Sequence, residues 1–408
     1  MNFLILSVTA GEGHNSTAKA IRSDLEKNGA SADIIDTFAY ISPELAKIIA
    51  EGYLFVTEKA QGAYRIGYRL AETRRVNEKL DGMQMASKAL SKELVDAVRG
   101  DDYDAVVFTH PFAGMLLGTM KKRKLIKDRT VGILTDFTFH PFWEDCTAND
   151  YVVVPDRLLL PQARAKGFRD EQVLPFGIPI NPKFRDGAGQ SPEERAQARR
   201  AARIRLGLDP EKMTMLVMGG SMGYGNMAEL VERIDGITAA ERDFQMIAVA
   251  GRNEAMKKTL DVLSARSSHR LLVTGFVDYV STLMDAADCI ITKPGGLTTS
   301  ESLAKNLPMI IVNPIPGQEE RNTEFLLNNG CAMATSKTVP IEECMYQLLV
   351  SDVRLEAMRS CIRAVAKPDS AGELSRFLLN LAATPRIGSY PHEMSRKDEF
   401  EFIEENEG

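Results

Sequence analysis

One pattern restricts this chain more than any other: a short apolar run, then a glycine- or proline-rich turn, then a helical period, repeated along its length. The first instance opens with Asn2-Phe3-Leu4-Ile5-Leu6-Ser7-Val8-Thr9, whose apolar stretch suits a strand covered on both faces. It breaks at Ala10-Gly11-Glu12-Gly13-His14-Asn15, and from Ser16 a helical pattern sets Ala20, Ile21 and Leu25 on one side. Ala32 to Ile35 then forms a second strand, ending at Asp36. Strand, glycine loop, helix, strand is the unit of a parallel sheet, because a crossover is needed to start a parallel neighbour.

The pattern continues with Ala105 to Phe108, Val131 to Leu134 and Tyr151 to Val154. It is interrupted by Pro175-Phe176-Gly177-Ile178-Pro179-Ile180-Asn181-Pro182, where regular structure is hard to sustain, and the domain linker is expected there. After a charged helix over about Pro192 to Leu206 the alternation restarts. Strands are expected at Met213–Met218, Met246–Val249, Leu271–Val273, Cys289–Thr292 and Met309–Val312, with a helix from about Thr299. At 408 residues the chain exceeds what one core serves, so the reading is an α/β protein of two doubly wound parallel-sheet domains, 1–180 and 181–374. The mostly acidic stretch Glu393 to Gly408 reads as a solvated tail.

Composition excludes several classes. A hydrophobic share of 44% with 26% charged residues is globular, and a formal charge of −6 is wrong for a dedicated nucleic-acid binder. The five cysteines lie far apart with no C-x-x-C pair, so free thiols in a reducing compartment are expected. The apolar start has no basic flank and reads as a strand rather than a secretory signal, and no run reaches the roughly 20 apolar residues of a membrane span. A protein of this kind working on membranes would sit on them.

Each glycine loop follows a strand and opens a helix, where unpaired first-turn N–H groups and the helix dipole favour an anion. Gly11-x-Gly13 alone is a weak dinucleotide fingerprint: Ser16 stands where a third glycine is wanted, although Asp36 lies near the place of a ribose-binding acid. Neither Gly219 nor Gly295 begins a P-loop. Thr298-x-x-Glu301 has two readings, a capping box or a carboxylate that receives a ribose diol. Gln318, Glu319 and Asn322, after Pro316-Gly317, offer the donors and acceptors that sugar hydroxyls need, while Glu320 suits the helix dipole.

Six motifs occur in one order: Gly11-Glu12-Gly13-His14, Gly219-Gly220-Ser221-x-Gly223, Gly251-Arg252-Asn253, Gly275-Phe276-Val277, Pro294-Gly295-Gly296-Leu297-Thr298-x-Ser300-Glu301 and Pro316-Gly317-Gln318-Glu319-x-x-Asn322. The set resembles the monogalactosyldiacylglycerol synthase and processive diacylglycerol glucosyltransferase family, relatives of the lipid II-forming N-acetylglucosaminyltransferase, from Met1 to about Gly330. Glu12 departs from it, standing at the middle glycine of the family's first loop. The resemblance implies a GT-B enzyme, two Rossmann-like domains across a cleft with the segment 375–408 packing back on the first. It further implies that Gly219, Gly220, Ser221, Gly295, Gly296 and Thr298 line a diphosphate and that Phe276 and Val277 meet uracil. Asn253 would join this donor-binding set, Glu301 would bind ribose, and Gln318, Glu319 and Asn322 would read a hexose.

An inverting transfer needs a base for the acceptor hydroxyl. His14 is the first choice because its pKa lies near neutrality, with Asp136 and His110, at neighbouring strand ends, in reserve. No metal is expected: the DxD, Asp102-Tyr103-Asp104, precedes a strand and reads as a surface turn, and the UDP-sugar is substrate rather than cofactor. Gly11, Gly13, His140 and Trp143 would face the acceptor, although Trp143 with Phe137, Phe139 and Phe142 equally suits a core. An amphipathic helix from Ser42-Pro43, with Leu45, Ile48, Ile49, Tyr53 and Val56 on one face, leads into Lys59, Tyr64, Arg65, Tyr68, Arg69, Arg74 and Arg75. With Lys121-Lys122-Arg123-Lys124 it reads either as ordinary core packing or as a dock for an anionic leaflet. The expectation is a cytoplasmic enzyme peripheral to the inner face of the plasma membrane, moving glucose or galactose from a UDP-sugar to diacylglycerol and binding no nucleic acid. A UDP-sugar 2-epimerase and a non-catalytic UDP-sugar sensor are the alternatives.

Overall fold

A computed structural model describes residues 1–9, 12–44, 46–47, 94–99, 103–187, 189–219, 226–237 and 242–384. Two six-stranded sheets organise the chain. The first contains β1 (Asn2–Ser7), β2 (Ser31–Asp36), β3 (Ala105–Phe108), β4 (Arg129–Ile133), β5 (Tyr151–Val153) and β6 (Val173–Leu174), in the order β2-β1-β3-β4-β5-β6. The second contains β7 (Met213–Met218), β8 (Phe244–Val249), β9 (Leu271–Thr274), β10 (Cys289–Thr292), β11 (Met309–Ile311) and β12 (Ala332–Ala334), in the order β12-β11-β10-β7-β8-β9. Every pairing is parallel, and β3, β7, β8 and β10 are buried along their full length, as doubly covered strands must be. Strands β6 and β12, of two and three residues, are too short to leave a readable apolar period.

Seven of the described helices place the site and the chain crossings: α1 (Glu12–Lys27), α2 (Pro111–Lys122), α3 (Pro192–Arg205), α4 (Gly296–Ala304), α5 (Gln318–Asn328), α6 (Asp352–Val365) and α7 (Ser370–Ala383). Two of them start earlier than the sequence suggests. Helix α1 begins at Glu12 rather than Ser16, and α4 begins at Gly296 with Gly295 as its N-cap. Thr298 therefore lies inside α4, and the capping-box reading of Thr298 and Glu301 is corrected.

The chain passes between the halves twice, and the two passages touch. Ile178, Ile180 and Phe184 on the outward passage are buried with Leu216, Ile247 and Ile290 of the second half. The return enters α7, whose Leu374 and Leu378 are buried against Phe3, Ile5, Val107 and Ile133 of the first sheet. Ser370 Oγ donates to the Ile178 carbonyl at 2.8 Å, and Lys367 pairs with Asp156. Gly177, at φ +92°, lies so close to Lys367 that a Cβ would stand 2.4 Å from that side chain.

The DxD is not a surface turn where described. Tyr103 is buried with its hydroxyl on Asp33, and Asp104 accepts from the Asn2 amide at 2.9 Å, anchoring the start of β1. Lys121 is ion-paired with Asp150, which removes one of four cations from the basic cluster at the end of α2. The amphipathic and basic segment beyond Lys47, from Ile48 to Arg75, and the acidic tail lie outside the described residues, as does Leu45.

Candidate active site

Ligands of open parallel sheets bind beyond the strand C-termini where the strand order reverses. The first sheet reverses between β1 and β3, the second between β7 and β10, and both points open on one cleft of about 980 Å³. The first half contributes Gly13, His14, His110, Asp136 and His140 to its lining. The second contributes Phe276, Val277, Gly295, Gly296, Thr298, Glu301, Gln318 and Glu319. Gly219 directly follows Met218, which also lines the cleft, while Gly11, Gly220 and Ser221 lie outside the described residues.

The first turn of α1 carries His14 over the end of β3. Its Nδ1 lies 2.6 Å from the Thr109 carbonyl. A carbonyl can only accept, so Nδ1 bears the proton and Nε2 keeps its lone pair. Burial lowers the His14 pKa, opposed by the charge of Asp136 and by the Thr109 bond, so the ring is neutral near pH 7. Burial raises the Asp136 pKa, opposed by a hydrogen bond from Asn322 and by His14. His110 packs edge-on against His14 at 4.9 Å between centroids. Its Nδ1 accepts from the Phe112 amide as the N-cap of α2, and burial together with His14 and His140 holds its pKa well down. A capping nitrogen is committed, which leaves His14 the better-placed base.

On the opposite wall the N-terminus of α4 lines the cleft at Gly295 and Gly296, and a helix start, whose first N–H groups have no partner within the helix, is a seat for negative charge. One turn further along, the Glu301 carboxyl group has no hydrogen-bond partner among the described residues, and burial pushes its pKa up to about 8. Glu319 is pushed up to about 7 by burial, opposed by a 2.6 Å bond from the Ile315 amide and by Lys293. Phe276 is exposed at the rim with the Arg252 guanidinium 4.6 Å above its ring.

Four expectations are corrected. Asn322 is fully buried and all its polar atoms are in use: Nδ2 donates to Asp136 at 3.0 Å and to the Pro294 carbonyl at 2.9 Å, while Oδ1 accepts from the Phe137 amide at 2.8 Å. It joins the two halves and has nothing left for a sugar. Asn253 caps the helix Glu254–Arg266 by accepting from Met256 and does not line the cleft. Trp143, 2% exposed, stacks among Phe108, Phe139 and Phe168, because an indole surrounded by aromatic rings gains more from burial than from a wet wall. Gly296, which lines the cleft as expected, also meets the other half: a Cβ there would stand 1.8 Å from the Thr135 carbonyl. Asp36, once a possible ribose ligand, caps the helix Thr37–Ile41 and accepts from Thr9.

The cleft also holds residues that motif reading missed: Lys19 on α1, Lys183 on the outward passage, Thr135, and Phe142, which is exposed where Trp143 is not. Among the described residues no helix is long and apolar enough to cross a membrane.

Comparison with known proteins agrees with this geometry. Residues 14–180 match the monogalactosyldiacylglycerol (MGDG) synthase family, and residues 214–371 match the glycosyltransferase family 28 C-terminal domain. A processive diacylglycerol beta-glucosyltransferase of Bacillus subtilis (strain 168) is 27% identical over 366 residues, 88% of this chain and 90% of that protein. Its counterpart in Bacillus cereus (strain B4264) is 28% identical over 381 residues, 92% of each. Among solved structures, MurG of Acinetobacter baumannii superposes with a TM-score of 0.62 at 14% identity, covering 93% of this chain and 99% of that one. At that identity the likeness shows the fold, which is GT-B: two Rossmann-like domains facing across a cleft.

Proposed function

We propose that this chain, similar in its two halves to the MGDG synthase and glycosyltransferase family 28 models and over most of its length to processive diacylglycerol glucosyltransferases, moves glucose from UDP-glucose to 1,2-diacylglycerol with inversion. The choice of glucose rests on the likeness to the Bacillus beta-glucosyltransferases. The observation that carries the mechanism is His14, whose Nδ1–H is spent on Thr109 so that a basic Nε2 remains on the cleft side of the fold.

In this reading Nε2 takes the proton of the acceptor hydroxyl while that oxygen attacks the anomeric carbon from the face opposite the nucleotide. The new glycosidic bond forms as the bond to the β-phosphate oxygen breaks, and UDP departs with the electron pair. Asp136 stabilises the imidazolium. The N-terminus of α4, with Lys19 and Lys183 at the rim, faces the charge gathering on the leaving diphosphate. Glu301 receives the ribose diol, Phe276 and Val277 flank the uracil, and Gln318 and Glu319 read the hexose. Lys122, Arg123 and Lys124 at the end of α2 help seat the first half on an anionic inner leaflet.

The test measures UDP release and glycolipid formation by mass spectrometry, with UDP-glucose or UDP-galactose and diacylglycerol in anionic vesicles. Hexosyl-diacylglycerol from UDP-glucose is expected, and His14→Ala should lose about 10²–10⁴-fold in rate. Product retained in His14→Ala would move the base to Asp136. A product from UDP-galactose alone would overturn the choice of sugar. Conversion of a UDP-sugar without lipid would point to an epimerase.

A further inference from the structure

Away from the cleft, Arg195, Arg199 and Arg203 recur at four-residue spacing and share one side of α3. Arg359 and Arg363 on α6 converge on the same place, with one carboxylate, Asp288, between the helices. Arg203 is fully committed: its guanidinium donates to Asp288 at 2.5 Å, to the Ala286 carbonyl at 2.9 Å and to the Pro210 carbonyl at 3.0 Å. Asp288 also accepts from the Thr214 amide. Arg199 and Arg359 reach the other Asp288 oxygen only at 3.4 and 3.5 Å. Their side chains are just 20% and 17% exposed, and the Nε of each is buried without a hydrogen-bond partner among the described residues. The nearby acids are occupied, Asp285 by Lys305 and Glu356 by Arg363.

Three guanidiniums thus share one carboxylate, so the cluster carries more buried positive charge than Asp288 balances. Withdrawing such groups from water costs more than one distant carboxylate oxygen returns. We propose that the seam between α3 and α6 binds a small multivalent oxyanion of the phosphate class, gripped by Arg199 and Arg359 with Arg195 and Arg363 at its mouth. Each fork meets the shared Asp288 oxygen through one terminal nitrogen, and the planar N–H edges of both suit the oxygens of a tetrahedral anion. Burial and the neighbouring arginines push the Arg199 pKa down to about 10, the strain that a bound anion would relieve. The site stands apart from the donor cleft: Arg195 donates to the Lys305 carbonyl at the C-terminal end of α4, whose other end opens the cleft.

The experiment keeps the full chain saturated with UDP, so that the donor site cannot answer for phosphate. Thermal unfolding is followed in chloride and in inorganic phosphate at matched ionic strength. The wild type should gain about 2 °C or more in phosphate. Arg199→Met and Arg359→Met should each lose that gain while melting no lower than wild type in chloride, because repulsion is relieved. No phosphate-specific gain in the wild type, or an equal gain in both variants, overturns the proposal. Should the variants fail to fold, calorimetric titration of phosphate into the UDP-saturated wild type decides, absence of binding overturning it. Co-sedimentation with phosphatidylcholine vesicles, with and without phosphatidic acid, separates the sources. Arg199-dependent sedimentation identifies a lipid headgroup, and phosphate binding without it identifies a soluble anion.

Discussion

His14 is held by opposing influences, and the balance between them is measurable. Burial lowers its pKa while the Asp136 carboxylate raises it by favouring the imidazolium. Asp136→Asn removes the raising influence, so the acid limb of the kcat/KM profile should move to lower pH. In the same variant kcat should fall by about 10–100-fold, since the imidazolium formed in the reaction loses its counter-charge. A pH–rate series on both proteins checks this, and an acid limb that moves upward refutes the pairing. Glu301 works against stability. The folded protein keeps its proton up to about pH 8, whereas the unfolded chain releases it near the ordinary carboxylic value. Between those values the folded state binds more protons, so this group makes stability fall as pH rises. Glu301→Gln should therefore raise the Tm at about pH 8 and leave it unchanged at about pH 5, with weaker donor binding throughout.

At the scale of elements, α4 meets the loop after β4 without side-chain padding. The 1.8 Å separation that a Cβ on Gly296 would have from the Thr135 carbonyl cannot be relieved by a rotamer, because the obstacle is backbone. Gly296→Ala should push the two walls apart and cut kcat/KM by about 100-fold or more, since an ångström of misplacement is costly in a transfer reaction. Small-angle scattering should show a larger radius of gyration for the variant, and a compact, fully active Gly296→Ala protein would refute the contact. The same loop sends Phe137 into the buried cluster of the second half, where it packs on Phe325 at 4.8 Å between centroids. An apolar side chain and a glycine on facing elements thus form one joint.

Across the whole molecule, closure depends on a few long-range bonds. Asn322 supplies two of them, to Asp136 and Phe137 of the first half, and a third bond ties it to the Pro294 carbonyl in its own half. Asn322→Leu leaves the buried Phe137 N–H and Pro294 carbonyl unpaired, at about 1–3 kcal/mol for each group. A lower Tm is expected, with a fall in kcat exceeding any rise in KM, because Asp136 is loosened beside His14 and Asn322 does not touch the sugar. A variant that raises only KM for the donor would return Asn322 to sugar recognition. Behind the cleft, the outward and return passages are tied together where Ser370 bonds the Ile178 carbonyl.

Two doubly wound sheets, the strand-end loops and the helix after Pro192 were legible in the sequence. Each is a local pattern: an apolar run flanked by Gly or Pro reports burial within a few residues of itself. His14, Glu301 and Glu319 were legible for the same reason, standing where a strand ends and a helix begins. What Asn322, Trp143, Asn253 and Gly296 do was decided by the tertiary structure. Asn322 bonds a carboxylate 186 positions away, and Gly296 meets a backbone oxygen of the other half. The arginines of α3 look like a solvated face until α6 and Asp288 close over them. Residue type and spacing report which groups a segment offers, but only the fold decides whether a buried partner has already claimed them.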